Sequence, residues 1–427
     1  MCSMTTNVIN DLKMAEISLA KVENVDKLQE EAKDLLSNYR TSVRVKEEVQ
    51  NALASIETAP DYKITPQIAQ TVDNTINHSA TLVVKDGQPL LQVHGTEAFG
   101  LSMAPKEWRI VRLAALKELL AENYKNIKRW ANSLSENFQR RWIELMTSTE
   151  VLEGRLESLD GTIDVVGSIK DGAKKVQLNE LISRTISKNG KVFTKDIAKN
   201  VQGEINYIMG CLKVWEMEQV KLKNSIIRYF GNPRNTDITD INRELPKLFD
   251  VKGDADTNDG MLISKRTKEL LDGYYFQGVA LDPKWVQKFK KEDADNQTLY
   301  ADSFALTGYS VNTGKENKLG KTEVDVMSLS EIYVLRDIVE NIISKLKSMN
   351  EESDPVNFNP DDVKDVLSTL KETGSDEQRA YQYGLITADY QFDVNSFKTG
   401  VSNMLTVLAS HLITLMNIHL ESYDIEL

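Results

Sequence analysis

One apolar seam constrains the fold of this chain more than any other feature of its sequence. The apolar residues recur at a period of about 3.5 residues, which is typical of a helix that buries one stripe against other helices. They are Leu113, Leu116, Leu120, Tyr124, Ile127, Ala131, Leu134, Phe138, Trp142, Leu145, Leu152, Leu156 and Leu159. At about 1.5 Å of rise per residue, a helix from Pro105 to Leu159 would be roughly 80 Å long. The seam therefore predicts a helical protein with an architectural role.

Three shorter features precede this seam. Residues 1–57 are predicted to form a helical arm, because their apolar positions repeat as in a coiled coil. Thr65 and Pro66 are placed as the cap and the first residue of a short helix. Two short apolar segments, Thr81–Val84 and Leu90–Val93, flank a glycine-containing turn and predict a β-hairpin.

A second amphipathic stripe follows the seam, between Val201 and Tyr229. Its period predicts a helix over residues 195–229. Thr194 is in position to cap the start of this helix, and Gly231 is in position to end it.

The C-terminal hundred residues carry a strong helix-start signal. Ser328 and Glu331 have the spacing of a capping box, in which each side chain bonds the backbone of the other residue. The last predicted helix runs from about Val394 to Tyr423 and is the most apolar in the chain. We expect this helix to lie deepest in a C-terminal bundle, because a helix that is apolar on all sides has to be buried.

The middle of the chain has a different composition. From about 235 to 326, glycine, aspartate and asparagine become frequent and the apolar runs become short. Three of these runs, Tyr274–Leu281, Asp302–Val311 and Thr322–Val326, have the length and residue types of strands.

These patterns predict a mainly α fold, a long-helix bundle with a small β-rich insertion in the middle of the chain. We expect four segments along the sequence. They are an N-terminal helical arm over 1–57, a long-helix bundle with a short hairpin over 58–234, a β-rich subdomain over 235–326 and a C-terminal helical bundle over 327–427.

Composition narrows the possible partners. The 427 residues include 64 acidic and 52 basic side chains, for a net charge of −12, so direct DNA binding is not expected. The two cysteines, Cys2 and Cys211, do not form a disulfide scaffold, and a reducing compartment is the default. The longest candidate for a membrane span, Val401–Leu420, contains several polar residues. Membrane insertion is therefore not expected.

Motifs that would support catalysis or cofactor binding are incomplete. His411 and His419 lie two helical turns apart without the further ligands that zinc requires, so they are interpreted as interior residues. The acidic run Asp254–Gly260 resembles the start of a calcium loop but lacks the required glycine and glutamate. Gly314–Thr322 has one residue too many for a phosphate-binding loop and precedes a strand-like segment. We therefore predict no enzyme activity, no cofactor and no metal.

Three segments together resemble the internal head proteins, or virion structural proteins, of large tailed bacteriophages. The first is the arm followed by Ile64–Ala69 and the helix that begins near Trp108. The second is Val326–Ile332, which opens a helix after the strand-rich middle, and the third is Asn417–Tyr423 at the end of the last helix. The resemblance implies a non-enzymatic protein made in the host cytoplasm and packed inside the capsid. Its implied partners are other phage head proteins, with the major capsid protein as a candidate.

The same resemblance implies processing by the phage prohead protease, which cuts after a small residue, any residue and glutamate. Ser55, Ile56 and Glu57 fit this pattern at the end of the arm, so cleavage after Glu57 would remove residues 1–57. Two other triplets fit as well, at 95–97 and at 148–150, the second inside a predicted helix.

Three other classes of function stay open at this point. The chain could be an elongated helical scaffold or adaptor that self-associates through a coiled coil over 10–57. It could act on a membrane through the apolar Val394–Leu420 helix, as a pore-forming protein does. An active site assembled from residues far apart in the sequence is the third alternative.

Overall fold

A computed structural model gives the fold of most of the chain. It describes residues 27, 31, 34–35, 37–42, 44–57, 64–85, 88–90, 105–232, 234–235, 237–253, 260–288, 294–314, 319–349, 354–358, 366 and 377–425. Contacts group these residues into two units, a smaller one within 26–143 and a larger one within 144–427. The boundary falls inside the long helix that carries the apolar seam. The division into four segments along the sequence stays a prediction.

The described part of the chain is mainly helical, as predicted. Its helices are α1 (44–57), α2 (Pro66–Leu82), α3 (Pro105–Ile163), α4 (Glu180–Thr185), α5 (Ile197–Phe230), α6 (Pro283–Val286), α7 (Ala294–Ser303), α8 (Leu329–Met349) and α9 (Glu377–Leu420). The helix α3 begins at the predicted residue and extends one turn beyond Leu159.

The strands are short and antiparallel. They are β1 (Val84–Lys85), β2 (Gln88–Pro89), β3 (Val166–Ile169), β4 (Lys175–Leu178), β5 (Ser187–Lys188), β6 (Lys191–Val192), β7 (Val251–Lys252), β8 (Leu262–Arg266), β9 (Tyr274–Leu281), β10 (Gly308–Thr313), β11 (Thr322–Asp325) and β12 (Tyr423–Ile425). One sheet has four strands in the order β10-β9-β8-β7, and the pairs β1-β2, β11-β4, β12-β3 and β5-β6 form two-stranded sheets.

The smaller unit is built from α1, α2 and the first turns of α3. Val49 and Ile56 of α1 are fully buried in the same apolar cluster as Val72 of α2 and Leu116 of α3. Two residues of the predicted coiled-coil seam, Val49 and Ile56, are thus already buried within one chain, whereas Leu35, Tyr39 and Leu53 are partly exposed. This burial leaves less of the arm free to join a second copy.

The start of α2 confirms the predicted cap. Thr65 is the N-cap residue, and its side chain accepts a hydrogen bond from the N–H of Ile68 at 3.3 Å. The hairpin that follows is present but shorter than predicted, since β1 pairs Val84 with Pro89. The first predicted strand was placed too early, because residues 81–82 continue the α2 helix.

The larger unit has one continuous core formed by α5, α8, α9, the last turns of α3 and the inner face of the sheet. The capping box of α8 is confirmed: Ser328 N–H donates to Glu331 Oε2 at 3.0 Å, and Glu331 N–H donates to Ser328 Oγ at 3.4 Å. Gly231 ends α5 as predicted. The cap predicted at Thr194 is wrong, because α5 begins at Ile197 after Asp196, which has a left-handed conformation and makes no side-chain cap.

The helix α9 is longer than predicted. It begins at Glu377 rather than near Val394, because its polar first half is buried against other parts of the fold. Its second half lies in the core as expected, with Val401, Leu408 and Met416 fully buried.

The middle of the chain contains the four-stranded sheet and two short helices. The prediction for β9 is confirmed at both ends, whereas the strand predicted over 302–311 is only partly correct. Residues 302–306 are helical, because Tyr300, Ala301 and Phe304 bury one helical face. The last strand of this region, β11, pairs with β4 and not with the sheet.

Candidate functional site

The largest concentration of buried polar groups lies along α9, and it is the first place to look for chemistry. Asp393 is at its centre. Arg243 Nη1 donates to Asp393 Oδ2 at 2.8 Å, and the N–H of Tyr309 donates to Asp393 Oδ1 at 2.7 Å. The side chains of Arg243 and Asp393 are only 4% and 10% exposed. The pair therefore joins the loop before the sheet, the edge strand β10 and α9.

The local backbone is shaped to admit this carboxylate. A Cβ atom placed on Gly308 would lie 2.1 Å from Asp393 Oδ1, so only glycine fits at the start of β10. Burial raises the pKa of Asp393, and the guanidinium of Arg243 opposes that shift. The guanidinium also lies 5.2 Å from the centre of the Tyr309 ring.

A second buried ion pair lies further along α9. Lys398 Nζ is 2.7 Å from Asp354 Oδ2, and both side chains are almost fully buried. Burial lowers the pKa of Lys398, while the hydrogen bond to Asp354 opposes the shift. Tyr390 Oη, on the same helix, donates to the C=O of Val356 at 2.8 Å. These contacts hold the short segment 354–358 against α9.

Arg155 connects α3 to the C-terminal half of α9. Its guanidinium donates to Ser410 Oγ at 2.5 Å and to Thr414 Oγ1 at 3.1 Å. The side chain is 4% exposed, so α3 inserts a charge into the core beside polar residues of α9. Ser410, one of the polar positions that argued against a membrane span, therefore has an interior partner.

The two C-terminal histidines are interior residues, as predicted. His411 Nδ1 lies 2.8 Å from Thr185 Oγ1, and His419 Nδ1 accepts a hydrogen bond from the N–H of Met327 at 3.1 Å. Burial lowers the pKa of both imidazoles to about 4, with a further contribution at His411 from nearby arginines. Both rings are thus neutral at neutral pH. Among the residues that the structure describes, no three His, Cys, Asp or Glu side chains come together as metal ligands.

The charged side chains of this polar cluster join separate elements of the larger unit. Asp393, Lys398 and Arg155 each already bond to a partner inside the larger unit. A buried charge that is paired and hydrogen-bonded is a usual structural element. Sequence reasoning missed Arg243, Arg155 and Asp393. The local sequence around Asp393 offers only a second aspartate, Asp389, one turn earlier on the same helix.

The predicted cleavage triplet lies at the end of α1. Ser55 Oγ donates to the C=O of Ala52 at 2.7 Å, and Ile56 is fully buried. Glu57 forms an ion pair with Lys117 at 3.3 Å, and its C=O accepts a hydrogen bond from Arg109 Nη2 at 2.5 Å. The three residues are thus helical and held by α3.

The other two triplets differ in their positions. Residues 148–150 lie within α3, with the first two side chains buried. Residues 95–97 lie outside the described part of the chain, as do residues 254–259 of the acidic run.

Within the described chain, one helix is long and apolar enough to cross a membrane, over Gln382–Leu420. Most of its apolar stretch is buried in the larger unit, as in the core helix of a soluble protein.

The fold defines a mainly helical protein with paired charges in its interior. The comparison with known families then names the group: residues 18–423 match the model of the phiKZ-like phage internal head proteins, and the chain belongs to this family. Neither the comparison with curated proteins nor the comparison with solved structures gave a significant match. The resemblance noted in the sequence is therefore confirmed, and with it a structural role in the phage head.

Proposed function

We propose that this chain is a non-catalytic component of the phage head, made in the host cytoplasm and packed inside the capsid, where it contacts the shell or other head proteins. The observation that carries this proposal is the family match over 18–423. The interior of the larger unit supports it, since Asp393, Lys398 and Arg155 are used to join helices and strands.

The placement inside the head can be tested on purified particles. Intact heads and opened heads would be treated with protease, and peptides from this chain and from the major capsid protein would be quantified by mass spectrometry. We expect the chain to survive in intact heads and to be digested after opening. Absence from the heads, or equal digestion in both samples, would refute the placement. Crosslinking before opening would identify the contacts with the shell or with other head proteins.

Processing by the prohead protease after Glu57 is a further part of the proposal. The triplet Ser55-Ile56-Glu57 is helical and Ile56 is buried, whereas a protease has to bind its substrate in an extended form. Cleavage at this site therefore requires that the chain is cut before the smaller unit folds, or after the end of α1 unfolds locally.

The N-terminus of the protein in mature particles tests this processing. We expect Thr58 as the first residue and expect Glu57→Gln to leave the arm attached. Glu97→Gln is the matched control, because it alters another triplet that fits the pattern. A mature protein that retains residues before Ser55 would contradict cleavage at this site.

A further inference from the structure

Two exposed helix faces in the larger unit carry opposite charges at the same spacing. One face lies on the last turns of α3 and the other on the first turns of α5. The acidic face consists of Glu150, Gly154, Glu157, Gly161 and Asp164. The basic face consists of Lys199, Gly203, Asn206, Gly210 and Lys213. All ten residues are exposed to solvent.

The alternating steps of four and three residues place each set on one side of its helix. Each face then extends about 21 Å along its helix axis, at about 1.5 Å of rise per residue. Asp164 follows the last residue of α3, but its N–H still donates to the C=O of Asp160 at 3.0 Å. It therefore keeps a helical position at the end of the acidic face.

The glycines in these faces have open space around them in the described part of the chain. Glycine is among the least favourable residues in a helix interior. A Cβ atom built on Gly154, Gly161, Gly203 or Gly210 would meet nothing within 4 Å. Packing inside this chain therefore does not require glycine at these four positions. Glycine suits places where another backbone approaches closely, which points to a contact from outside.

The charges of the two faces are complementary. Every exposed charged residue of α5 is basic, although the whole chain has a net charge of −12. The exposed charged residues at the end of α3, Glu150 and Glu157, are acidic, as is Asp164. None of the five charged residues of the two faces forms an ion pair with another described residue.

We infer that the acidic face of one copy binds the basic face of a second copy. Lys199 and Lys213 then lie opposite the carboxylates at the two ends of the acidic face, and Asn206 lies opposite Glu157. Because the two surfaces differ, each copy keeps one face free after the first contact. Such contacts continue until they close into a ring or extend as a filament.

A second copy fits these observations better than DNA does, because DNA could use only the basic face. Copies of the same sequence can occupy both faces, with one copy bound at each face. Exposed ion pairs are individually weak and are screened by salt, so the association is reversible and depends on ionic strength. This inference adds a partner to the proposed structural role, but it is tested on the purified chain and does not depend on where the protein lies in the particle.

Sedimentation velocity of the full-length chain tests the inference. In low salt, we expect the weight-average mass to rise with concentration, and in high salt to approach that of a monomer. Reversal of one face, by Lys199→Glu with Lys213→Glu or by Glu150→Lys with Asp164→Lys, should weaken association at least about tenfold. The variant that carries all four changes should associate again, because the charges are then exchanged between the faces.

Two further sets of variants separate this contact from a general effect of charge and from a loss of monomer stability. Lys268→Glu with Lys321→Glu makes the same change in charge at exposed positions elsewhere and should leave association unchanged. Gly203→Gln with Gly210→Gln adds neutral side chains that favour helix, so it should weaken association without lowering the thermal stability of the monomer.

Three results would overturn the inference. They are a monomer at every concentration in low salt, association that survives reversal of either face, and a four-fold variant that does not recover. Loss of duplex DNA binding in the Lys199→Glu, Lys213→Glu variant, without any change in self-association, would assign the basic face to DNA instead.

Discussion

Replacement of Asp393 by alanine is the sharpest test of the interior described above. The carboxylate accepts hydrogen bonds from Arg243 and from the backbone N–H of Tyr309, and both donors are buried. Asp393→Ala would leave a buried guanidinium without its carboxylate and a buried N–H without its acceptor. Removal of one partner from a buried ion pair typically costs about 3 to 5 kcal/mol.

A second substitution, at Arg243, measures how strongly the two side chains interact. In a variant that combines Asp393→Ala with Arg243→Met, no charge is left uncompensated, and the remaining cost is that of one buried N–H, about 1 to 3 kcal/mol. The double variant should therefore be more stable than Asp393→Ala alone. The sum of the two single effects should exceed the effect of the double variant by about 2 kcal/mol or more.

Because the chain has two units, which can unfold separately, the stability of the larger unit has to be measured by a local probe. Hydrogen exchange of the amides in β9 and β10, followed by mass spectrometry, reports the opening free energy of the sheet that Asp393 joins to α9. Asp337→Ala is the matched control, since this aspartate lies on α8 and its side chain is 68% exposed. We expect the control to change exchange by less than about 0.5 kcal/mol.

Two outcomes would refute this reasoning. A cost below about 1 kcal/mol for Asp393→Ala would mean that the pair is not desolvated as the structure indicates. Additive effects of the two single substitutions would mean that Arg243 and Asp393 do not interact.

Three other predictions follow from the same structure. As the pH falls from about 6.5 towards 4, the free energy of unfolding of the larger unit should fall by about 2 to 3 kcal/mol for each of His411 and His419, because the unfolded state binds protons that the folded state excludes. Thermal unfolding measured against pH checks this. The variant with glutamine at both positions should lack this part of the pH dependence. Ser328→Ala should cost about 1 kcal/mol through loss of the capping box, measured by hydrogen exchange in the first turns of α8, with the exposed Ser344→Ala on the same helix as the control. Gly308→Ala should cost about 2 kcal/mol or more because its Cβ collides with Asp393; thermal unfolding that matches the wild type would contradict the close approach.

Local physics accounts for the features that were predictable from the sequence. Helix caps and stripes depend on residues three or four positions apart, so the start of α2 and the capping box of α8 are visible without a structure. The same is true of β9, whose length and residue types fit a strand at both ends. The family resemblance rested on the order of such local elements, and the match over 18–423 confirms it.

Partners far apart in the sequence were decided only by the tertiary structure. Asp393 bonds to groups 84 and 150 positions away, so no local pattern distinguishes it from a solvated aspartate on a helix. The strand β11 was predicted correctly as a strand, but its partner β4 lies about 150 residues earlier in the sequence, before the middle region begins. The polar first half of α9 packs in the core, where Tyr390 and Asp393 bond to such distant groups. The sequence by itself determined the helices and strands whose signals are local, such as α2, α8 and β9. The tertiary structure determined the start of α9 and which polar residues are buried, because burial depends on partners that only folding brings together.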